Sequence, residues 1–366
     1  MKAIFLFSII SLYSFLANAQ KANLLVGTYT QKGSKGIYVF NFDTATGKAV
    51  ELSHTNNVEN PSFLTITDDH QYVYAVNEKS DGMLTAFSLE NNKLKLLNQV
   101  ATNGADPCHL SLSKDQKNIF VANYSGGSIA QFYRFADGRV SKMRQQIKHV
   151  GKSVNLNRQE KAHVHGTFFN PSGNYLFTPD LGMDQVSIYP YNSKANPVLD
   201  INNIQQIQTS PGAGPRHLTF SNNGKFIYLA EELTGTVSVY NFQNGKAQWL
   251  QTILSHPTNY NGQPGSADIH ISPDNKYVYV SNRGEENNIV KFTVLENGKL
   301  AEDKTTYFKT QGLMPRNFTI SKDGKWLLVA HQGSDSIVVF KINELGDLIN
   351  TGNSFKVSMP VCLILF

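Results

Sequence analysis

The chain has 366 residues, 40% apolar and 17% charged, which is too apolar for disorder and long enough to bury a large core. With 33 basic against 28 acidic residues the net charge is only +5, without Lys/Arg runs, which argues against a reader of the nucleic-acid phosphate backbone and leaves small anions as ligands. Two cysteines, Cys108 and Cys362, are too few for a disulfide framework or a multi-thiolate zinc site, and 27 Gly with 22 Phe and 16 Tyr spread along the chain point to an all-β fold of short strands and turns.

In chain order, the first element is a leader. Lys2 is followed by an apolar stretch, Ala3 to Leu16, and then by Ala17-Asn18-Ala19, the small-x-small pattern a signal peptidase closes over. Residues 1–19 are read as a signal peptide and 20–366 as one domain, periplasmic or secreted. No later stretch reaches about 18 apolar residues, so no membrane association is expected after cleavage.

The rest of the chain is a repeat. PSFLTITDDHQYVYAVNE from Pro61 recurs from Pro107, His163, Pro215, Ser266 and Pro315, each copy a short strand, a tight Asn/Asp/Gly turn and a β-branched or aromatic strand. A third alternating strand follows, such as MLTAFSLE or TVSVYNF, and then a weaker fourth. Four strands per unit, at a period of about 50 residues, is the signature of a β-propeller blade. Six copies are complete. The stretch from Leu24 to His54 supplies a second, third and fourth strand without a first, and Pro360 to Phe366 supplies a first strand without a second. Joining them predicts a seven-bladed β-propeller of four antiparallel strands per blade, its first blade closed by the N- and C-terminal strands.

Aligned repeats place equivalent residues around one central channel. The third position of the first strand holds Phe63, His109, His165, His217, Asp268, Asn317 and Cys362, mostly polar where a packed strand is apolar, so this slot is predicted to face the channel. The end of the second strand holds Tyr29, Glu78, Tyr124, Leu181, Glu232, Arg283 and Gln332, on the same rim. Connections between blades read as longest before His163, Pro215 and Ser266, and long loops on one side suggest pocket walls. Blades four to six carry the strongest chemistry: His163 and His165, Arg216 and His217, Glu231 and Glu232, Asp268, His270 and Arg283. Cations, carboxylates and imidazoles in one cleft can bind an anion, steady an oxyanion and move a proton. The alternative is a hydrogen-bonded plug that fills a narrow channel.

At VGTYT (Val26), ANYSGGS (Ala122), HVHG (His163), PDLGMDQV (Pro179), GPRH (Gly214), EEL (Glu231) and SNRG (Ser281), the sequence resembles the seven-bladed propeller lactonase family, which includes one class of 6-phosphogluconolactonases and the carboxy-muconate cyclases. The resemblance spans nearly the whole mature chain. It implies a site of His165, Arg216, Glu232 and Arg283 and hydrolysis of a sugar lactone with 6-phosphogluconolactone as the implied substrate; the repeat map adds His109, Tyr124, His163, His217 and Asp268 as expected substrate-binding neighbours. Family members of the pentose phosphate route work in the cytoplasm, whereas this chain carries an export signal, which places the phosphate in question.

Water attack on a lactone carbonyl needs a base, Glu232 or His165, and positive charge at the nascent oxyanion, Arg216 or Arg283, the second arginine gripping a phosphate or carboxylate. The expected partner is thus a small anionic lactone or sugar acid, with no cofactor and no metal. No Ser sits in a G-x-S-x-G elbow and both cysteines fall in inner strands, which disfavours covalent catalysis. A ring of His109, His165, His217 and Asp268 has ligand chemistry suited to a divalent metal, a rival reading that requires slots on neighbouring blades to converge on one ion. Two other readings are an exported non-catalytic propeller that binds a glycan or protein on its loop-rich rim, and a muconate-type cyclase.

Overall fold

The structure, a computed structural model, describes residues 21–366, so the predicted leader lies outside the described residues. Its 28 strands form seven four-stranded antiparallel sheets. The sheet that closes the ring has the order Pro360–Leu365, Lys21–Thr28, Tyr38–Asp43, Lys48–His54, in which Val26 pairs with Leu363 and Leu24 with Leu365. Two further backbone bonds, Asn23 N to Phe366 O (2.8 Å) and Phe366 N to Asn23 O (2.9 Å), complete this clasp.

The same local chemistry builds the first-to-second turn of five blades. Ser221, Ser272 and Ser321 each donate a hydroxyl hydrogen bond to the Asn or Asp two residues on and accept one from the amide five residues on, at 3.0 Å in all three. Thr67 and Ser113 do likewise. Such side-chain caps satisfy the turn backbone locally, which holds these turns tight and on one side of the ring.

Neighbouring blades meet through apolar faces. Phe40 and Phe42 of the first blade pack on Trp326, Leu328 and Val339 of the seventh, and the Trp326 indole donates to Thr44 O at 3.0 Å. Tyr228 and Val239 of the fifth blade meet Val278 and Phe292 of the sixth. Because both faces of each sheet are covered, the middle strands are apolar on both sides. Both cysteines are buried and unpaired.

Two features depart from the repeat map. The fourth blade's first strand is reduced to Phe168–Phe169, and His163 to Gly166 approach the sheet only through an isolated Val164–Asp180 bridge. The connection before Pro215, residues 209–214, is also short; the extra length of that blade lies in residues 191–204, between its third and fourth strands.

In the inner strands the ladder skips a residue at Cys108, Arg216, Arg316 and Val361. A bulge interrupts the alternation of faces, so the extra residue and its successor can both leave the sheet plane toward the channel. This irregularity positions the site.

Candidate active site

One residue beyond each second strand, the amide bonds the loop that enters the same blade. Tyr29 N donates to Met359 O (3.0 Å), Glu78 N to Asn60 O (3.0 Å), Tyr124 N to Asp106 O (2.9 Å), Glu232 N to Gly214 O (2.8 Å), Arg283 N to Gly265 O (3.1 Å) and Gln332 N to Met314 O (3.1 Å). This backbone clamp sets the side chains of that position on one mouth of the channel. Glu231, one residue earlier and still within the ladder, turns into its own blade, accepting hydrogen bonds from Thr236 and, at 2.8 Å, from Ser238. It does not join the rim, contrary to the sequence expectation, because adjacent strand residues face opposite ways.

Glu232 is the centre of the rim. Its Oε1 lies 2.6 Å from Arg158 Nη2, and its Oε2 lies 2.9 Å from both Arg216 Nε and Arg283 Nη2. The Arg216 N–H is misaligned for a hydrogen bond, so that contact is one of charge. Burial alone would raise the Glu232 carboxyl, but Arg283, Arg216 and Arg158 override it and hold the group well below the usual carboxylate range. Arg216, nearly fully buried, donates from Nη1 to Ala267 O at 2.6 Å. Burial and the neighbouring Arg283 and Arg316 push its guanidinium down to about 10. The rim therefore carries more positive charge than its carboxylates neutralise.

Beside this group, Tyr29 donates to Glu78 Oε1 at 2.8 Å and the Arg316 guanidinium lies over the Tyr29 ring at 5.5 Å. Arg158 arrives from the connection between blades three and four, which is tied down at its base. Asp184 accepts from Ser153 Oγ (2.5 Å), Gln159 Nε2 (2.7 Å), Gly212 N (2.6 Å) and Gly214 N (2.7 Å), and so joins this connection to the segment that leads into Arg216. Gly182 is required here, since a Cβ would sit 1.9 Å from Lys161 O. Gly214 adopts φ +66° and would otherwise collide with Leu233.

The histidines divide into two layers. His163 stacks on Tyr124 (centroids 4.4 Å apart) with Nδ1 3.2 Å from Tyr124 O, and Tyr124 in turn approaches Arg158 Nη2 at 3.5 Å. His165 lies edge-on to Tyr124, and burial together with Arg216, His217 and Arg316 keeps its imidazole neutral, well below its usual range. These residues share the arginine mouth. His109, His217 and Asp268 form a layer across the channel beneath it. The His109 ring sits between Phe63 (4.1 Å) and Phe168 (4.5 Å), with Nδ1 accepting from Thr167 N at 3.2 Å. Asp268 accepts from Asn317 Nδ2 (2.5 Å) and from Ile269 N (3.1 Å), and its two oxygens lie 2.9 Å from His217 Nδ1 and His270 Nε2. His270 belongs to the opposite mouth, where a cavity of about 640 Å³ also reaches the tight-turn residues Asp68 and Lys114. The arginine-lined mouth thus lies above a hydrogen-bonded layer that crosses the channel.

Sequence reasoning missed Arg316 and Arg158. The first repeats Arg216 in PRNF against PRHL, but regular alternation assigns the second position of an inner strand to the inter-blade face, and only the bulge turns it inward. The second lies in a connection with no counterpart in other repeats, so nothing local marks it.

Fold and rim together define a closed seven-bladed propeller with a cationic, carboxylate-centred channel mouth. The family model described as "Lactonase, 7-bladed beta-propeller" matches residues 23–365, and the chain belongs to that family. It is 37% identical over 328 residues to a 6-phosphogluconolactonase of Formosa agariphila, covering 87% of this chain and 92% of that one. A Bacillus subtilis 6-phosphogluconolactonase is 31% identical over 346 residues, covering 92% and 96%. Among solved structures, the periplasmic gluconolactonase of Pseudomonas aeruginosa superposes with a TM-score of 0.85 at 35% identity, covering 94% of this chain and 99% of that one.

Proposed function

We propose that the protein hydrolyses a sugar lactone, 6-phosphogluconolactone or its unphosphorylated counterpart, to the open-chain acid. The observation that carries this reading is the charge balance of the rim: four guanidiniums, of Arg158, Arg216, Arg283 and Arg316, stand around two carboxylates, Glu232 and Glu78. An excess of cations over carboxylates at the channel mouth favours an anion, and lactone hydrolysis supplies one twice, as the tetrahedral oxyanion and as the carboxylate product.

In this reading Arg216 and Arg283 stabilise the oxyanion and orient the substrate. The half-exposed Arg158 meets the outer, charged end of the substrate, where a planar guanidinium can grip phosphate or carboxylate with two bonds. Glu232 is bound to three arginines and holds its proton only weakly, which favours an organising role over that of a base. The base is then a neutral imidazole of the channel, and His165 and His217 both meet that condition. His109, His217, Asp268, His163 and Tyr124 support the site from beneath and from the side. The sequence leader and the likeness to a periplasmic gluconolactonase support an exported protein acting on an unphosphorylated lactone.

The test is hydrolysis of 6-phosphogluconolactone and glucono-1,5-lactone by the protein beginning at Gln20, with and without chelator. Turnover of either, unaffected by chelator, is the expected result. Absence of turnover on both overturns the reading.

A further inference from the structure

Beneath the arginines lies a cavity of about 10 Å³, lined among others by Ser62, Glu78, Arg216, His217 and Arg316. That is roughly the space one water occupies in a protein interior, provided that two to four polar partners surround it. The partners are present. Nine buried side-chain nitrogens and oxygens among the described residues have no hydrogen-bond partner, and four of them belong to residues of this one small cavity: Ser62 Oγ, Glu78 Oε2, His217 Nε2 and Arg216 Nε, the last already in charge contact with Glu232. Unpaired buried polar atoms cost about 1–3 kcal/mol each, so their concentration around one chamber calls for an occupant that both donates and accepts.

His217 has the further geometry of a base. Its Nδ1 faces Asp268 Oδ1 at 2.9 Å. Asp268 is fixed in turn by Asn317 and by the Ile269 amide, and stays ionised because His270 and His217 outweigh the upward push of burial. A neutral imidazole that donates Nδ1–H to a carboxylate presents Nε2 as a lone pair, the arrangement by which a carboxylate fixes the tautomer of a catalytic histidine. Burial and the adjacent Arg216 lower the His217 imidazole to about 4, so it is unprotonated at neutral pH.

We infer that the cavity is the water chamber of the hydrolase and that His217, oriented by Asp268, is the base that deprotonates the attacking water; this rests on the lactonase reading above. Water oxygen bonds to the lactone carbonyl carbon while one water proton passes to His217 Nε2, and the carbonyl π electrons move onto oxygen beside the arginines. Collapse of that oxyanion breaks the ring C–O bond, and the leaving alkoxide takes the proton back from His217. The sum is lactone plus water giving the hydroxy acid. Glu78 Oε2 and Ser62 Oγ hold the water in place.

His217→Gln and Ser62→Val in the mature protein test this with glucono-1,5-lactone. His217→Gln is expected to lower kcat by about 100-fold or more, the usual range for loss of a positioned base, with KM and the dissociation constant for gluconate within about threefold. Ser62→Val replaces the hydroxyl of the chamber wall with methyl groups and is expected to lower kcat by about tenfold or more at unchanged gluconate affinity. It decides the matter if His217→Gln does not fold. An active wild type with either folded variant retaining kcat within about threefold overturns the inference and leaves the lactonase reading intact. A wild type inactive on all lactones overturns both.

Discussion

Arg158 Nη2 lies 2.6 Å from Glu232 Oε1, although 74 residues separate the two in sequence. The arginine side chain is 43% exposed and the carboxylate 7%, so one residue of a surface connection reaches down to roof the central acid of the rim. Arg216 belongs to an inner strand and Arg283 directly follows one, clamped there by its amide bond to Gly265 O, whereas Arg158 stands in the long connection between blades three and four. That asymmetry separates what each should do when altered.

Arg158→Ala is expected to raise KM for an anionic lactone by about tenfold, the worth of a single charge-assisted contact of roughly 1.5 kcal/mol, with a smaller effect on kcat. An exposed arginine contributes little to stability, so the melting temperature should stay within about 2 °C. Steady-state kinetics of the variant on 6-phosphogluconolactone against glucono-1,5-lactone is the measurement. Equal KM changes on both substrates would remove Arg158 from recognition of the phosphate.

Glu232→Gln leaves buried guanidiniums without their counter-charge. Breaking a buried ion pair from one side costs about 3–5 kcal/mol, so the variant should melt well below the wild type. Because the loss is one of negative charge, added phosphate or sulfate should recover part of it, more in the variant than in the wild type. Thermal shift against phosphate concentration decides, and parallel curves for the two proteins would contradict the cationic character assigned to the rim.

Stability is expected to fall as pH drops from about 6.5 toward 4. His331 is buried with both ring nitrogens unpartnered, and burial lowers it, like His217, to about 4. The unfolded chain, with ordinary imidazoles near 6.5, binds protons in that window that the folded chain refuses; the stabilisation is full above 6.5 and is lost as pH falls. His270, raised by Asp268 against the effect of burial, opposes this trend. His331→Asn substitutes the residue found at the matching strand end in three other blades, Asn77, Asn123 and Asn282, and should flatten the decline in melting temperature between pH 7 and 5.

Deleting Pro360 to Phe366 should abolish cooperative folding, because this segment supplies the innermost strand of the first blade and its pairing with Lys21–Thr28 closes the ring. Its removal exposes a central sheet edge and the buried faces of Leu24 and Val26. A truncated protein with a full-length melting transition would show that closure contributes nothing.

Seven blades, their strand order and the terminal clasp were legible in the sequence because the repeat reports itself seven times. The segment from Pro360 reads as the partner of the N-terminal strands only because both fill slots that six other copies define, and the structure sets the register, Val26 against Leu363. The same alignment placed Glu232 and Arg283 at equivalent slots, and the backbone clamp realises that equivalence. Strand periodicity, by contrast, could not reveal a bulge. It gave Glu231 and Glu232 to one rim when neighbouring residues in a ladder diverge, and it hid Arg316, which leaves the sheet only where the register skips. Arg158 and the layering of His217 beneath Arg216 were decided by tertiary structure alone. A repeat fixes where a residue stands around the ring, since local hydrogen bonding and burial recur in every blade. How far its side chain reaches along the channel, and which loop closes over it, depends on contacts between blades that no single repeat encodes.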